Sequence, residues 1–292
     1  MSAGPLVVVA LGGNAVSPPA GDSALAAERT AVARAADDLA LLAAGGRRLL
    51  VVHGNGPQVG RLLVVAGADG TADLDVHVAQ TQGELGYLLA EALEARLGGG
   101  ACAALVTRVT VDATDPAFAV PTKPIGRVLP AAPAGVPAVR LPDGRGWRRV
   151  VASPRPREVI ELDAIRVLLA SRHVVAGGGG GVPLMAADGR RGPAPAVVDK
   201  DWVAALLAVE LGAARLVFVT DVSHAYDDFG GAARPIAVMS VAEARARCAR
   251  GVFAAGSMAP KVESAVEFVA ACGRPARITT VGAAGAGTTI VP

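Results

Sequence analysis

The chain has 292 residues, of which 52% are hydrophobic and 18% charged, so its length suits one large α/β domain or two smaller ones and its composition argues against disorder. A formal net charge of +2, only 3% aromatic residues and scattered arginine pairs (Arg47-Arg48, Arg148-Arg149, Arg190-Arg191) argue against nucleic-acid binding. The cysteines Cys102, Cys248 and Cys272 are far apart and fit buried thiols in a reducing cytosol better than a disulfide or zinc framework; with neither a basic leader nor an 18-residue apolar run, the expectation is a cytoplasmic protein without a membrane span.

Strand and helix signals alternate along the chain. Leu6 to Leu11 is an unbroken apolar run ending in Gly12-Gly13-Asn14, and helical spacing (Leu25, Val32, Leu39, Leu42) fills 22–44 before Gly45-Gly46. A second apolar run, Leu49 to Val52, ends in His53-Gly54-Asn55-Gly56-Pro57. Uniformly apolar strands of this kind belong to a parallel sheet covered on both faces. A long helix is predicted over 77–97 and a strand over 103–111. From 112 to about 156 the chain turns rich in Pro and Gly, which predicts an excursion or lid outside the main sheet. Alternation resumes with a helix at 161–171, a strand at 173–176, the run Gly177 to Gly181, a strand at 196–198, a helix from Lys200 and a strand at 215–220. Ser240 with Glu243 has capping-box spacing for the next helix; another helix follows Ser257 and a last strand covers 276–280.

Cation usage singles out one stretch. Among 28 basic residues only Lys123, Lys200 and Lys261 are lysines, each in a turn-rich segment. An ammonium is a compact, strongly hydrated point charge where a guanidinium is a planar fork, so three solitary lysines mark places where a point charge is needed. Lys200, between Asp199 and Asp201, opens a helix after a β-branched run, where free N–H groups and the helix dipole favour an anion. The plain alternative is a capped helix with an exposed, salt-bridged lysine. Glycine loops follow three of the apolar strands, at the carboxyl edge of the sheet where ligands bind in open α/β folds, and glycine lets backbone N–H groups approach an anion.

Several motifs lead nowhere. Gly54, Gly56 and Gly60 are spaced G-x-G-x-x-x-G, one residue longer than a dinucleotide fingerprint, although Asp73 and Asp75 stand at a plausible distance for a ribose carboxylate. Asp228-Phe229-Gly230 spells a protein-kinase triplet without its companion motifs, and there is no G-x-x-x-x-G-K. No histidine has a His or Cys at i+4, and His53 reads as a packed or loop-orienting residue rather than a base.

Leu11-Gly12-Gly13-Asn14-Ala15, His53-Gly54-Asn55-Gly56-Pro57-Gln58-Val59-Gly60, Gln80-Thr81-Gln82-Gly83, Pro121-Thr122-Lys123-Pro124-Ile125-Gly126, Trp147-Arg148-Arg149-Val150-Val151, Val198-Asp199-Lys200-Asp201, Thr220-Asp221-Val222 and Gly256-Ser257-Met258-Ala259-Pro260-Lys261 resemble, in order, the motifs of carbamate kinases in the amino acid kinase superfamily. The resemblance implies a three-layer αβα sandwich around a mainly parallel sheet, one domain over 1–292. Its carbamate-side lobe would be 1–160, with a protruding subdomain near 118–150, and its nucleotide-side lobe 161–292. It implies ATP/ADP and carbamate/carbamoyl phosphate as ligands, Mg2+ carried by the nucleotide, no resident metal, and a homodimer. Residue by residue, it implies Lys200 and Lys261 flanking the transferred phosphoryl group, Asp201 holding their heads, and Lys123 reaching in from the overhang. Gly12, Gly13, Asn14, Gly54, Asn55 and Gly56 would bind carbamate and phosphoryl oxygens, and Gly178, Gly179, Thr220, Asp221, Tyr226, Met258 and Pro260 the nucleotide. Ser223-His224 departs from the pattern, in a turn whose equivalent positions suit glycine-like φ > 0 and would strain His224. A kinase of another small carboxylate or phosphate, and a nucleotide-binding sensor without catalysis, are the alternatives.

Overall fold

Strand β1 (Leu6–Leu11) is buried along its whole length and feeds two cores. Val7, Val9 and Leu11 enter one and Leu6, Val8 and Ala10 the other, the period-2 alternation of a strand covered on both faces. The computed structural model describes residues 4–17, 25–66, 73–141, 144–187, 190–227, 233–254, 256–283 and 285–292; the Asp228-Phe229-Gly230 triplet lies outside them. After β1 come α1 (Leu25–Ala43), β2 (Arg48–His53), α2 (Gly56–Val65), α3 (Leu74–Leu97), β3 (Cys102–Ala104), β4 (Arg108–Val111), β5 (Lys123–Leu129), β6 (Ala138–Arg140), β7 (Trp147–Val151), β8 (Pro156–Val159) and α4 (Leu162–Leu168). The chain continues through β9 (His173–Val175), β10 (Val182–Ala187), β11 (Arg190–Pro193), α5 (Lys200–Glu210), β12 (Arg215–Thr220), β13 (Ala225–Asp227), β14 (Arg234–Ile236), β15 (Val238–Ser240), α6 (Val241–Ala249), α7 (Met258–Cys272), β16 (Ala276–Thr280) and β17 (Thr288–Val291).

Eight strands build the central sheet in the order β15-β17-β16-β12-β1-β2-β9-β3, parallel at every pairing except β16 with β17. Helices α1 and α3 cover one face through Val32, Leu39, Leu85 and Leu89; α5 and α7 cover the other through Val203, Leu207, Val262 and Phe268. Each such fully buried side chain contributes about 1.5–3 kcal/mol, so truncating Leu89 or Phe268 to Ala would cost about 2–5 kcal/mol. The result is the three-layer αβα sandwich. From β1 the chain proceeds to β2 on one side, while β12 and β16 extend the sheet on the other, so the strand order reverses around β1 and leaves a crevice at the carboxyl ends of β1 and β12.

Four local expectations change. The strand expected over 103–111 breaks in two: β3 stays in the central sheet, and β4 joins a four-stranded sheet ordered β11-β10-β4-β8. The strand expected at 196–198 is one bridge, Ala152 to Ala196, because Pro193 and Pro195 remove the donors a ladder needs just before it. Helix α2 starts inside what reads as a glycine loop, with Pro57 in its first turn, where a missing N–H costs nothing. The run Gly177 to Gly181, read as a loop on the nucleotide side, stands on the β2 side, because β9 inserts between β2 and β3. The excursion is the three-stranded sheet β5-β7-β6. Its root is seated by Ile125 and Val151, which pack with Val59 and Leu63 of α2. Among the described residues no helix is long and apolar enough to cross a membrane.

Candidate active site

A cleft of about 300 Å³ opens over the carboxyl ends of β1, β2 and β12, and α5 points its first turn into it. Asp199 caps that helix, its Oδ1 accepting the Asp201 N–H at 3.0 Å and its Oδ2 pairing with Lys123 Nζ at 2.7 Å. One turn edge further, Asp201 accepts from both remaining lysines: Oδ1 from Lys200 at 2.5 Å and Oδ2 from Lys261 at 3.0 Å, while Lys261 also donates to the Ser257 carbonyl. Three ammoniums therefore face two carboxylates at a helix N-terminus, a net positive site before the dipole is counted. Lys200 is not the exposed surface residue of the plain reading, since its side chain is only 12% exposed and that of Lys261 only 11%.

Burial alone would raise the Asp199 carboxyl, but the Lys123 and Lys200 charges and the hydrogen bonds from Lys123 and the Asp201 amide win and hold it at about 2. Lys261 is pushed below the ordinary lysine value, first by burial and then by the Lys200 charge, with Asp201 pulling the other way. An anion with two or three oxygens would relieve the repulsion between the ammoniums and replace the water they have lost.

The glycine loops form the opposite wall, with fewer free donors than the sequence suggests. Gly12 N–H donates to the Val219 carbonyl at 2.8 Å and Gly54 N–H to the Leu11 carbonyl at 2.9 Å, so both extend the sheet instead of facing a ligand. Gly13 and Asn14 open a single 3-10 turn, and Gly56 begins α2; amides at such starts have no partner within the helix. Gly54 is required for packing, because a Cβ there would lie 2.8 Å from Gly13 N and 3.4 Å from Lys200 Cε. Asn14 Nδ2 donates to Asp221 Oδ2 at 2.7 Å, tying the β1 loop to the β12 loop across the cleft.

Of this glycine pair Gly179 lines the cleft beside Asn55, and Gly178 does not reach it. A Cβ on Gly178 would run into the His53 ring and one on Gly179 into the Asn55 carboxamide, so this run is a wall behind β2. His53 is 1% exposed, and burial drives its imidazole down to about 4; it is a neutral packing residue. Thr220, Asp221 and Ser257 lead from the cleft into a second cavity of about 150 Å³ lined by Val222, Tyr226, Val252, Phe253, Ala254 and Met258. Pro260 lines neither; its carbonyl accepts from Ser264 Oγ at 2.6 Å inside α7. His224 carries no strain, since the only non-glycine positive φ values among the described residues are at Asp73 and Ala233. Its Nδ1 meets Ser223 Oγ at 3.0 Å, and that oxygen meets Tyr226 Oη at 3.3 Å. Sequence reasoning passed over three contributors: the role of Asp199, whose signal was an N-cap aspartate, the Thr81 hydroxyl that holds Asn55, and the Ser257 carbonyl, for which the sequence holds no signal.

The family model "Amino acid kinase family" matches residues 5–280. Carbamate kinase 2 of Enterococcus faecalis is 40% identical over 281 residues, which are 90% of this chain and 89% of that protein. The carbamate kinase of Halobacterium salinarum is 38% identical over 98% of both chains. The chain belongs to the carbamate kinases of the amino acid kinase family. Among solved structures, carbamate kinase from Giardia lamblia bound to AMP-PNP superimposes with a TM-score of 0.89 at 34% identity, covering 100% of this chain and 99% of that one. As a kinase of this family, the protein has in its paired lysines the groups phosphoryl transfer asks for, since that reaction is carried mainly by positioning and placed positive charge. Among the described residues no group of three His, Cys, Asp or Glu side chains could hold a metal. A Mg2+ that arrives on nucleotide phosphates needs only one or two protein carboxylates, and Asp221, which keeps one oxygen free of Asn14, fits that need.

Proposed function

We propose that the protein transfers the γ-phosphoryl group of ATP to the oxygen of carbamate, giving ADP and carbamoyl phosphate, and that it runs in reverse to make ATP. The carrying observation is Asp201, 2% exposed, holding two ammoniums 2.5 and 3.0 Å from its two oxygens in an anion-sized cleft. The nucleotide lies along the Tyr226–Met258 cavity with its phosphates at Thr220 and Asp221, and the carbamate lies at Gly13, Gly54 and Asn55. Between them Lys200 and Lys261 take the equatorial oxygens of the phosphoryl group as the P–O bond to ADP breaks and the bond to carbamate oxygen forms. Carbamate is already an anionic nucleophile, so no base is needed, in keeping with a buried neutral His53. Asp221 would help hold a Mg2+ carried by the nucleotide, which would supply further charge neutralisation. Lys123 closes the cleft from the overhang. A homodimer in the cytoplasm belongs to the same reading; its support is the resemblance and apolar side chains left on the surface, such as Leu41 and Val65, and light scattering tests it.

Purified protein mixed with Mg-ADP and carbamoyl phosphate should form ATP in stoichiometric yield against carbamoyl phosphate consumed. No ATP formation would remove the proposal, and nucleotide binding without turnover would leave a sensor.

A further inference from the structure

The orientation of one side-chain amide is fixed by a neighbour on α3 that does not itself line the cleft. Thr81 Oγ1 lies 2.9 Å from the His77 carbonyl and 3.0 Å from the Val78 carbonyl, one helical turn back in α3. Its single proton therefore goes to a main-chain oxygen, and toward Asn55, 2.9 Å away, the hydroxyl can only accept. That forces the Asn55 NH2 toward Thr81 and turns its Oδ1 the other way. The carboxamide cannot swing, because its flat face lies on Gly179, where there is no space for even a Cβ. Thr81 is fully buried and Asn55 is 5% exposed, so water does not compete for the hydrogen bond that sets the orientation. Among the described residues Asn55 Oδ1 has no hydrogen-bond partner and is not sealed off, and the space that Asn55 borders is the cleft. A fixed acceptor thus stands beside Gly54 in the wall of the cleft.

We infer that Asn55 Oδ1, locked by Thr81 and Gly179, selects the acyl group of the substrate by accepting a hydrogen bond from the amide N–H of carbamate or carbamoyl phosphate. The inference rests on the proposed function and names the atom that decides its substrate. An acetyl group has the same planar shape and offers a methyl where the carbamoyl group offers NH2. Binding it leaves a largely buried carbonyl without a donor, the situation in which a site built for a hydrogen bond rejects an analogue most strongly. Thr81 is a positioning residue: it acts only through the amide it orients.

The test compares ATP formation from Mg-ADP with carbamoyl phosphate and with acetyl phosphate, as the ratio of kcat/KM, in wild type, Thr81→Ser and Thr81→Val. Wild type should favour carbamoyl phosphate by at least 100-fold. Thr81→Ser keeps the hydroxyl and should keep that ratio within about threefold. Thr81→Val should let the amide turn its NH2 to the cleft and cut the ratio tenfold or more, with the KM for ADP unmoved. If the ratio is the same in all three proteins, or if both substrates lose equally, Asn55 Oδ1 does not read the acyl group. Should Thr81→Val not fold, Asn55→Ser decides: a ratio within threefold of wild type overturns the inference. Wild type that forms ATP from neither compound would instead defeat the proposed function, so the two failures are distinguishable.

Discussion

Lys200 and Lys261 share one carboxylate, and that arrangement decides what their replacement should do. Lys200→Arg and Lys261→Arg each keep the charge, but a planar fork cannot occupy the place of an ammonium between Asp201 and a phosphate oxygen. Losing one placed donor costs about 10²- to 10³-fold in kcat, to be read in the ADP-to-ATP direction. Because both heads are nearly buried, the larger group also overpacks the first turn of α5, by about 1–3 kcal/mol, visible as a lower urea midpoint; a salt-bridged surface lysine would show neither effect. Asp199 carries a pH signature. Its folded value of about 2 lies below the unfolded 3.8, so its ionised form contributes stability that is fully present above the unfolded value and is lost as pH falls through the folded one. Asp199→Asn should therefore lower stability by about 1–2 kcal/mol at pH 7, a gap that closes as urea midpoints are followed from pH 5 down toward pH 2. A gap unchanged at low pH would mean that the loss does not come from the ionised carboxylate and its Lys123 pair, since Asn can still cap the helix. At this scale the sequence was informative wherever residue type was scarce: three lysines among 28 cations stand out, and all three meet in the cleft. It was uninformative about Gly178 and Pro260, because a glycine needed to lie against the His53 ring looks in sequence like one needed to meet a phosphate.

Periodicity found the central sheet except β15 and β17, which lie after or between the elements it predicted, and found the helices that cover it, since a strand buried on both faces cannot hide its apolar run. The elements it missed are short or carry mixed signals: α2 begins at Gly56-Pro57, and β10 with β11 forms a hairpin whose second strand is Arg-Arg-Gly-Pro. The overhang was legible as an interruption and not as a sheet, because β5, β6 and β7 bury few side chains of their own. Its root is anchored by Ile125 and Val151 against α2 and by Lys123 on Asp199. Such an element should open and close about that root, and closing over the ligand would keep water from an acyl phosphate. Amide exchange across 118–150 should slow when a bisubstrate mimic binds, with the largest effect in β6 and the least in residues 123–125, which are already docked. Exchange identical with and without ligand would rule out a lid.

Across the whole molecule, the cleft gathers its groups from opposite halves of the chain: Gly13 and Asn14 follow β1, Thr220 ends β12 with Asp221 just after it, and the two strands pair over five residues from Val7 with Arg215 to Leu11 with Val219. Asn14 bonded to Asp221 repeats that connection inside the site. A crevice built on the pairing of β1 with β12 exists only while the sheet is continuous, so neither lobe can melt and leave the other with a working site. Because β9 is inserted between β2 and β3, the strands near the N-terminus also depend on a segment that comes after residue 170. Thermal unfolding followed by circular dichroism and by intrinsic fluorescence should therefore show one coincident transition. A saturating bisubstrate mimic at about 100 times its Kd should stabilise the fold by about 2.7 kcal/mol, which for a chain of this size raises Tm by roughly 5–10 °C. The two probes should still coincide when it does. Two separate steps, with only one of them moved by the ligand, would show that the lobes on either side of β1 and β12 fold independently and that the site belongs to one of them.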